Sequence, residues 1–332
     1  MTRDRDYSSI LFTPEEVGTL GAAYLQERKD NKAHGVKLGL ACLDNPDAAG
    51  NFLLPLHPTE LMSIIARPGN GKTGFMVRWA RERAAILRKA KIENRVVCYV
   101  TLEQSIEELN AFNVAADEHM SITKMAMGEI TDEEWTRCLK SAINRRFMPL
   151  WNIGYSSMTA KKQVRIDVDA IAGALEIMRS QGSVIDVVFV DYLQRMPDNN
   201  AESKTVAVSK NLDGLKDIAL RLRCPVVAGV QARREVDDRK GDPVPELDDR
   251  QWTSNIEQTS DRVLSLVRPR KYREEGEVFG KTKVEGHCQM LVTVLKQKLA
   301  PDNFSKWVYF DPVYNKLDEL EMAAQAQRPG AR

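Results

Sequence analysis

The chain has 332 residues, which is long enough for one large α/β core or for about two average domains. Apolar residues make up 43% and charged residues 29%, a balance that excludes collagen, coiled-coil rods and a fully disordered chain. The net charge is only +1, so a nucleic-acid site must be a local basic patch or must be assembled from several subunits. The apolar runs stay well short of the ~18 residues of a membrane span, and the N-terminus is too polar for a secretory signal. We therefore expect a cytoplasmic protein with no membrane partner.

The cysteines give no sign of a metal site or of disulfide bonds. They are scattered and lack C-x-x-C spacing, with positions Cys42, Cys98, Cys138, Cys224 and Cys288. We expect reduced thiols, which agrees with a cytoplasmic protein.

The first predicted element is an N-terminal helix that ends at about Asp30. Thr13 can cap this helix, Pro14 suits its first position, and Glu16 can complete a capping box. Residues 31–59 carry scattered glycines and prolines, which predict irregular structure.

Strands and helices then alternate with short links. The patterns predict strands over 61–66, 95–101, 150–153, 184–191 and 225–230, and helices over 72–90, 105–117, 131–146, 168–180 and 204–222. Residues 232–255 are highly charged and predict a loop, and further strands are expected over 263–267, 289–295 and 306–310. This alternation favours a mostly parallel, doubly wound α/β sheet flanked by helices.

Most of the chemistry lies in the turn between the first strand and the next helix, Arg67-Pro68-Gly69-Asn70-Gly71-Lys72-Thr73-Gly74. The turn departs from G-x-x-x-x-G-K-[ST] only at the first position, which is Ala66. Gly69 and Gly71 can let backbone N–H groups face an anion. Lys72 can reach the outer phosphates of ATP, and the Thr73 hydroxyl can ligate Mg²⁺. A turn that contains Gly-Lys-Thr by chance is the alternative, but the preceding strand and following helix favour the phosphate loop.

Three polar residues are expected at the same sheet edge as this turn, because each follows a predicted parallel strand. Asp191 ends the most apolar strand and can hold the metal, although Asp186 in the same run is a competitor. Glu103 can deprotonate the attacking water, and Gln231 can sense a γ-phosphate through its amide. The alternatives are a surface glutamate at a helix start and a polar loop residue.

Several stretches, in this order, resemble the RecA-like ATPase domain of DnaB-type replicative helicases over about residues 35–320. They are Ala-Arg-Pro-Gly-Asn-Gly-Lys-Thr (66–73), Val-Thr-Leu-Glu (100–103), Asp-Val-Val-Phe-Val-Asp-Tyr-Leu-Gln-Arg-Met (186–196), Cys-Pro-Val-Val-Ala-Gly-Val-Gln (224–231), Ser-Asn-Ile-Glu-Gln-Thr-Ser-Asp (254–261), Lys-Gln-Lys (296–298) and Phe-Asp-Pro-Val-Tyr (310–314). An alanine such as Ala66 is usual in this family, which removes the objection raised by the mismatch.

The resemblance implies a RecA-like P-loop core and a homo-oligomeric ring, usually a hexamer, with ATP bound between neighbours. Lys72, Thr73, Glu103 and Asp191 then act in one subunit, and the neighbour supplies cations to the γ-phosphate. The family's cation pair is a lysine and an arginine separated by one residue, and the matching residues here are Lys296 and Lys298. Lys298 is a departure, because lysine lacks the planar fork of guanidinium. A solvated strand face is the alternative for both lysines.

The resemblance divides the chain into an N-terminal arm with a linker helix (1–34), a RecA-like ATPase domain (35–322) and a flexible tail (323–332). The stretch before the phosphate loop is short, so we expect the family's usual N-terminal domain to be absent. Whether a loader or a primase is a partner is left undecided by the resemblance. In the family a linker helix packs on the adjacent subunit, and Leu20 and Tyr24 are the candidates for that contact. Packing on the helix's own subunit is the alternative.

Single-stranded DNA is the nucleic-acid partner that the resemblance implies, bound in the central channel by loops after two of the strands. The basic candidates in these loops are Lys204, Lys210, Arg233, Arg234, Arg239 and Lys240. Several copies around a channel would present repeated backbone contacts, although interleaved acids weaken the patch. A solvated surface of mixed charge is the alternative. For the basic run over 268–273, three alternatives remain: contact with a phosphate, with a nucleotide, or with a partner subunit.

We therefore expect an ATP-dependent DNA helicase that hydrolyses Mg-ATP by in-line attack of water and translocates on single-stranded DNA. The residues alone support only Mg-ATP hydrolysis, and the unwinding activity rests on the resemblance. One alternative is a RecA- or KaiC-like ATPase that binds DNA or protein without unwinding. The other is an ATP-binding scaffold ring that hydrolyses weakly.

Overall fold

The computed structural model describes residues 11–31, 35–159, 164–197, 203–232, 236, 241–246 and 253–320. Its helices are α1 (Pro14–Asn31), α2 (Ala41–Asp44), α3 (Lys72–Lys89), α4 (Ile106–Asp117), α5 (Ile122–Met127), α6 (Asp132–Asn144), α7 (Val168–Ser180), α8 (Lys204–Leu222) and α9 (Thr253–Thr259). Its strands are β1 (Leu61–Ala66), β2 (Arg95–Thr101), β3 (Leu150–Ile153), β4 (Val184–Asp191), β5 (Val226–Gln231), β6 (Arg262–Val267), β7 (Val278–Phe279), β8 (Thr282–Lys283), β9 (Gln289–Gln297), β10 (Phe304–Asp311) and β11 (Lys316–Glu319).

Nine of the described strands form one sheet in the order β11-β10-β9-β6-β1-β5-β4-β2-β3. The six strands from β6 to β3 are parallel, and β9, β10 and β11 extend the sheet antiparallel beyond β6. β1 lies in the middle, with Ala66 opposite Gln231 of β5 and Leu266 of β6. The carboxyl ends of β1, β4 and β5 therefore meet at one edge of the sheet, where open α/β sheets bind their ligands.

Helices cover both faces of the sheet, which explains why its central strands are apolar without alternation. α3 packs on one face, where Trp79 meets the edge of Phe189 at a centroid distance of 5.4 Å. α7 and α8 cover the other face, with Leu212 and Leu215 fully buried. Burial of each such side chain contributes about 1.5–3 kcal/mol to the free energy of unfolding. The packing of both helical layers therefore holds the strands, and with them the strand ends, in register.

The predicted alternation and the mostly parallel sheet flanked by helices are confirmed. The sequence patterns missed α2, α5, β7, β8 and β11, which are short elements held by tertiary contacts; β11, for example, pairs through Asp318 with Tyr309 of β10. The loop predicted over 232–255 is wrong at its end, because α9 begins at Thr253.

The N-terminal helix α1 is present and begins with the predicted capping box. The Thr13 N–H donates to Glu16 Oε2 at 2.7 Å, and the Glu16 N–H donates to Thr13 Oγ1 at 3.2 Å. Its apolar side chains are largely exposed, at 55% for Leu20 and 49% for Tyr24. These two residues are therefore accessible to another subunit. Within the described ranges, none of the helices has the length and apolar character that crossing a membrane requires.

Candidate active site

The turn between β1 and α3 has the backbone of a phosphate loop. Gly69 and Gly71 have φ values of +73° and +85°, in the left-handed region that favours glycine. A Cβ atom on Gly71 would also lie only 2.7 Å from Phe310 Cε1 and 2.8 Å from Met290 Cε. α3 starts at Lys72, so the unpaired N–H groups of its first turn are available to an anion.

The segment that follows β6 supports this turn from outside. Asn70 is 1% exposed; its Oδ1 accepts the Arg268 N–H at 2.8 Å, and its Nδ2 donates to the Tyr272 hydroxyl at 3.0 Å. Lys271 Nζ donates to the Pro68 carbonyl at 2.6 Å. Part of the basic run over 268–273 is thus used to hold the phosphate loop, and the Asn70 side chain serves the same purpose.

Four side chains converge on the floor of the cleft around Asp191. Lys72 forms an ion pair with Asp191 Oδ1, and the Thr73 hydroxyl donates to Asp191 Oδ2 at 2.6 Å. The Tyr99 hydroxyl donates to the same Oδ2 at 3.2 Å. Burial and the neighbouring Asp191 charge hold the pKa of Tyr99 well above its ordinary value, so Tyr99 stays a neutral donor. Tyr192 completes the floor, with Lys72 Nζ 4.5 Å from its ring centroid.

Gly229 in β5 gives this ion pair the space it occupies. A Cβ atom at this position would lie 3.0 Å from Lys72 Nζ, 3.1 Å from Asp191 Oδ1 and 3.1 Å from Met76 Sδ. These separations are a few tenths of an ångström tighter than ordinary contacts. The absence of a side chain on Gly229 therefore contributes directly to the geometry of the floor.

Asp186, the competitor of Asp191 in the sequence, belongs to a separate structural network. Its carboxylate accepts from Arg83 Nε at 2.7 Å and from Arg95 Nη1 at 3.3 Å. Its side chain is 1% exposed. The pairing explains how a buried carboxylate is tolerated within β4, and it leaves Asp191 as the β4 carboxylate that contacts Lys72 and Thr73.

Glu103 and Gln231 both line the cleft, as the sequence predicted. Glu103 is half-exposed, and its Oε1 lies 3.9 Å from Arg195 Nη2. The backbone of Gln231 is held on both sides by the side chain of Gln194: the Gln231 N–H donates to Gln194 Oε1 at 3.1 Å, and Gln194 Nε2 donates to the Gln231 carbonyl at 3.0 Å. Arg67 Nη1 donates to the next carbonyl, that of Ala232, at 2.9 Å.

A wall that the sequence did not predict as part of the site closes the other side of the cleft. It is formed by Arg268, Phe310, Pro312 and Asn315, and the enclosed volume is about 340 Å³. The Arg268 guanidinium lies 5.7 Å from the centroid of the Phe310 ring. A Cβ atom on Gly74 would lie 2.8 Å from Phe310 Cζ, so Gly74 is also needed for this packing. From the sequence, Phe310 was identified only as part of the family-like stretch 310–314, and Arg268 only as part of the basic run over 268–273. The antiparallel strands bring these two residues together.

Lys296 and Lys298 lie at the opposite edge of the sheet. Because β9 is antiparallel to β6, Lys296 pairs with Val263 near the start of β6, about 13 Å along the strand from Val267. Lys296 Nζ donates to the Ser260 carbonyl at 2.8 Å, and Lys298 Nζ forms a 2.5 Å ion pair with Asp261 Oδ1. Burial, and after it the charge of Lys298, lowers the pKa of Lys296. Neither lysine is near the cleft of its own subunit.

Asp261 connects this lysine pair with the centre of the fold. Its Oδ2 accepts from Lys216 Nζ at 2.6 Å and from the Leu61 N–H at 2.9 Å, so it links α8, β1 and Lys298. Burial alone raises the pKa of Asp261, but the hydrogen bonds from Lys216, Lys298 and Leu61 outweigh burial and hold it below the ordinary value.

Two of the six nucleic-acid candidates can be located. Lys204 and Lys210 are exposed on α8, which follows β4 on the side of the sheet edge that carries Asp191. Arg233, Arg234, Arg239 and Lys240 lie outside the described residues. Among the residues that the structure describes, no group of three or more His, Cys, Asp or Glu side chains is placed to hold a metal on its own.

A family profile described as the DnaB-like helicase C-terminal domain matches residues 35–318. The chain belongs to this family. It is similar to the replicative DNA helicase DnaB of Rickettsia typhi, with 26% identity over 321 residues that cover 90% of this chain and 60% of that protein. It is also similar to the replicative DNA helicase DnaB of Helicobacter pylori strain J99, with 27% identity over 269 residues that cover 80% of this chain and 50% of the relative. The chain thus spans 60% or less of these relatives.

Two solved structures share the fold. One is a structure of an ATPase domain, which aligns with a TM-score of 0.73 at 20% identity, over 92% of this chain and 98% of that chain. A DnaB-like replicative helicase, solved in a study of its interactions with primase, aligns with a TM-score of 0.66 at 22% identity, over 80% and 59% of the two chains. At these identities the likeness establishes the RecA-like α/β fold, which the sequence predicted.

Proposed function

We propose that the cleft at the end of β1 binds and hydrolyses Mg-ATP. The observation that carries the proposal is the convergence of Lys72, Thr73 and Tyr99 on Asp191 at the floor of the cleft. Nucleotide use is expected of DnaB-like helicases, and the lining offers an anion-binding turn, the cation of Lys72 and the Thr73 hydroxyl, which contacts Asp191 directly beneath it. The volume of about 340 Å³ lies within the range of small-molecule sites.

Each residue of the floor has a distinct part in this proposal. The phosphate loop over 67–74 cradles the phosphates through backbone N–H groups, and Lys72 leaves Asp191 to contact the outer phosphates. Thr73 and Asp191 present oxygen atoms to Mg²⁺, which supplies positive charge to the phosphate oxygens when bound. Tyr99 keeps Asp191 oriented as a neutral hydrogen-bond donor.

Glu103 and Gln231 are placed for the chemical step. Glu103 is half-exposed on the cleft lining, and its closest charged partner among the described residues is Arg195 at 3.9 Å, so its carboxylate is accessible to a water molecule that attacks the γ-phosphate. Gln231 is the last residue of β5, the strand paired with β1, and Gln194 fixes its backbone. We assign the general base to Glu103 and the γ-phosphate contact to the Gln231 amide.

We propose a homo-oligomeric ring, and the placement of the two lysines supports it. Lys296 and Lys298 lie at the sheet edge away from their own cleft, so they serve an ATP site only when a neighbouring subunit brings them there. The exposed apolar residues of α1, Leu20 and Tyr24, offer one side of a subunit contact. The other side is an exposed apolar stripe on and after α6, Leu139, Ile143 and Phe147, each more than 50% exposed. A hexamer is the arrangement that the family suggests.

We further propose that this ring is a DNA helicase that translocates on single-stranded DNA. Support comes from membership of the DnaB-like family and from basic residues such as Lys204 beyond the Asp191 edge. The candidate loops follow β4 and β5 along the chain, directly after Asp191 and Gln231, so contacts with phosphates of the strand can respond to the state of the nucleotide. Partners such as a primase or a loader belong to the same proposal.

A set of three assays tests the function. The chain is expected to hydrolyse Mg-ATP faster with a single-stranded oligonucleotide and to separate a forked duplex, whereas Lys72→Ala abolishes both activities. Lys89→Gln, which removes an exposed cation from the same helix, is the control and is expected to change neither. Turnover without strand separation supports a non-unwinding ATPase, and ATP binding without stimulated turnover supports a scaffold ring. Absence of ATP binding contradicts the whole proposal.

A further inference from the structure

A second cleft lies between α3, α4 and α6 and shares no lining residue with the ATP cleft. Its volume is about 480 Å³. Its cations are Arg81, Arg88, Arg137, Lys140 and Arg145, and three carboxylates stand among them. Five cations and three carboxylates thus face one cavity, which leaves an excess of two positive charges. We call this cavity the cationic cleft.

Two arginines on its inner wall share the carboxylate of Asp117, and Arg81 Nη2 also lies 3.5 Å from Glu82 Oε1. Asp117, at the end of α4, accepts from Arg145 Nη1 at 2.7 Å and lies 3.7 Å from Arg81 Nε. The two arginine side chains are only 11% and 12% exposed. Burial, only partly offset by Asp117, lowers the pKa of Arg145, and the charge of Arg81 acts in the same direction. A bound anion would further reduce the repulsion between these guanidinium groups.

The hydrogen-bonding capacity of the same arginines is also incomplete. Arg81 Nη1 and Arg145 Nη2 are buried and have no hydrogen-bond partner among the residues that the structure describes. Buried polar groups are paired in the great majority of cases, so these two donors are available to a water molecule or to a bound anion. A guanidinium presents its donors as a fork that matches phosphate oxygens, so a phosphate is a suitable partner once the arginines adjust by a side-chain rotation.

Two further cations stand at the mouth of the cleft without a carboxylate. Arg88 Nη1 has its closest described polar contact with Met148 Sδ at 3.6 Å, which is a weak interaction. Lys140 on α6 has no carboxylate within 4.0 Å among the residues that the structure describes. Both residues are exposed, so they are available to a ligand that enters from solvent.

We propose that the cationic cleft binds a small polyphosphate anion, with its inner phosphate at Arg81 and Arg145 and its outer phosphate at Arg88 and Lys140. The concave shape between three helices favours a compact ligand over an extended chain. Residues 137, 140, 141 and 144 place the cleft on one face of α6, while the apolar stripe with Leu139 and Ile143 lies on another. A subunit contact at the stripe therefore leaves the cleft accessible.

Isothermal titration of the full chain with sodium pyrophosphate tests this site. The Lys72→Ala variant removes the contribution of the ATP cleft, and it is expected to keep a pyrophosphate-binding event with a Kd at or below about 1 mM. Adding Arg88→Gln and Lys140→Gln is expected to weaken that event at least tenfold, with an unchanged circular dichroism spectrum because both side chains are exposed. The matched control adds Lys89→Gln and Arg179→Gln, two exposed cations outside the cleft, and is expected to retain the affinity.

Other ligands in the same titration separate the sources of the phosphate. Equal affinities for pyrophosphate and ADP indicate that the phosphates alone are recognised, and a tighter complex with ADP identifies a nucleotide; both outcomes support the site. The proposal is overturned if Lys72→Ala removes all pyrophosphate binding, or if the Arg88→Gln and Lys140→Gln variant binds as tightly as its control. It is also overturned if a short oligoglutamate peptide binds more tightly than pyrophosphate.

Discussion

Replacing Gly229 by alanine adds one methyl group against the Lys72–Asp191 ion pair. Gly229 is not among the residues with positive φ, so the backbone of β5 accepts alanine without strain. The cost arises from the new Cβ atom, which would lie 3.0 Å from Lys72 Nζ and 3.1 Å from Asp191 Oδ1. Overpacking of this kind costs about 1–3 kcal/mol. Because the methyl group also displaces Lys72 and Asp191 from the positions from which they would contact phosphate and Mg²⁺, we expect ATP binding to weaken about tenfold, or about 1.4 kcal/mol.

Two measurements on the Gly229→Ala protein show whether the added methyl group lowers ATP affinity, the free energy of unfolding, or both. Titration calorimetry with Mg-ATP reports the floor of the cleft, and urea denaturation reports the free energy of unfolding. Gly173→Ala is the matched control, because a Cβ atom there meets nothing within 4 Å; it is expected to stabilise α7 by about 0.5–1 kcal/mol and to leave ATP affinity unchanged. If Gly229→Ala keeps full ATP affinity and loses only stability, Met76 has absorbed the methyl group. The floor is then less rigid than its close contacts imply.

Three further changes test separate parts of the site. Glu103→Gln is expected to retain ATP affinity and to lower the hydrolysis rate at least 100-fold, and hydrolysis at the native rate would remove Glu103 as the general base. Mixing Lys298→Ala subunits with Lys72→Ala subunits is expected to restore ATPase activity above that of either variant, because some interfaces then combine an intact cleft with an intact lysine; no recovery would place the lysine's action within one subunit. Asp261→Asn is expected to lower the free energy of unfolding by about 2 kcal/mol at pH 7. The pKa of Asp261 is depressed by folding, so its contribution is present above the ordinary value and is lost as pH falls through the lowered pKa. The urea midpoints of the native and Asp261→Asn proteins should therefore converge below about pH 4, and a gap that stays constant would contradict this assignment.

Three residues of the floor, Lys72, Thr73 and Asp191, could be predicted from sequence because each belongs to a local pattern, whereas Tyr99 and Tyr192 were not predicted. Lys72 and Thr73 belong to one turn, and Asp191 ends one apolar strand whose carboxyl end had to share an edge with that turn. Asp186 and Asp191 could not be separated by pattern alone, because the difference lies in the distant partners Arg83 and Arg95.

The rest of the site depends on contacts that no local pattern contains. Phe310 reaches Gly71 only through the register of three antiparallel strands, and Arg268 reaches Asn70 only because β6 lies beside β1. The pairing of Lys298 with Asp261 also joins segments that are distant along the chain. Short elements such as α5 escaped prediction for the same reason, since tertiary contacts rather than a strong period hold them.

The two ends of the central sheet have different chemistry, and this difference governs how subunits can associate. One end carries the ATP cleft and the other carries Lys296 and Lys298, so the proposed contact joins unlike surfaces and cannot be satisfied by a twofold pair. An open head-to-tail row of subunits always leaves one cleft at its terminus without a lysine donor. When the row closes into a ring, no terminus remains, and the last cleft also receives a lysine from its neighbour. In the proposed assembly, the antiparallel direction of β9 therefore favours a closed ring over an open filament of any length.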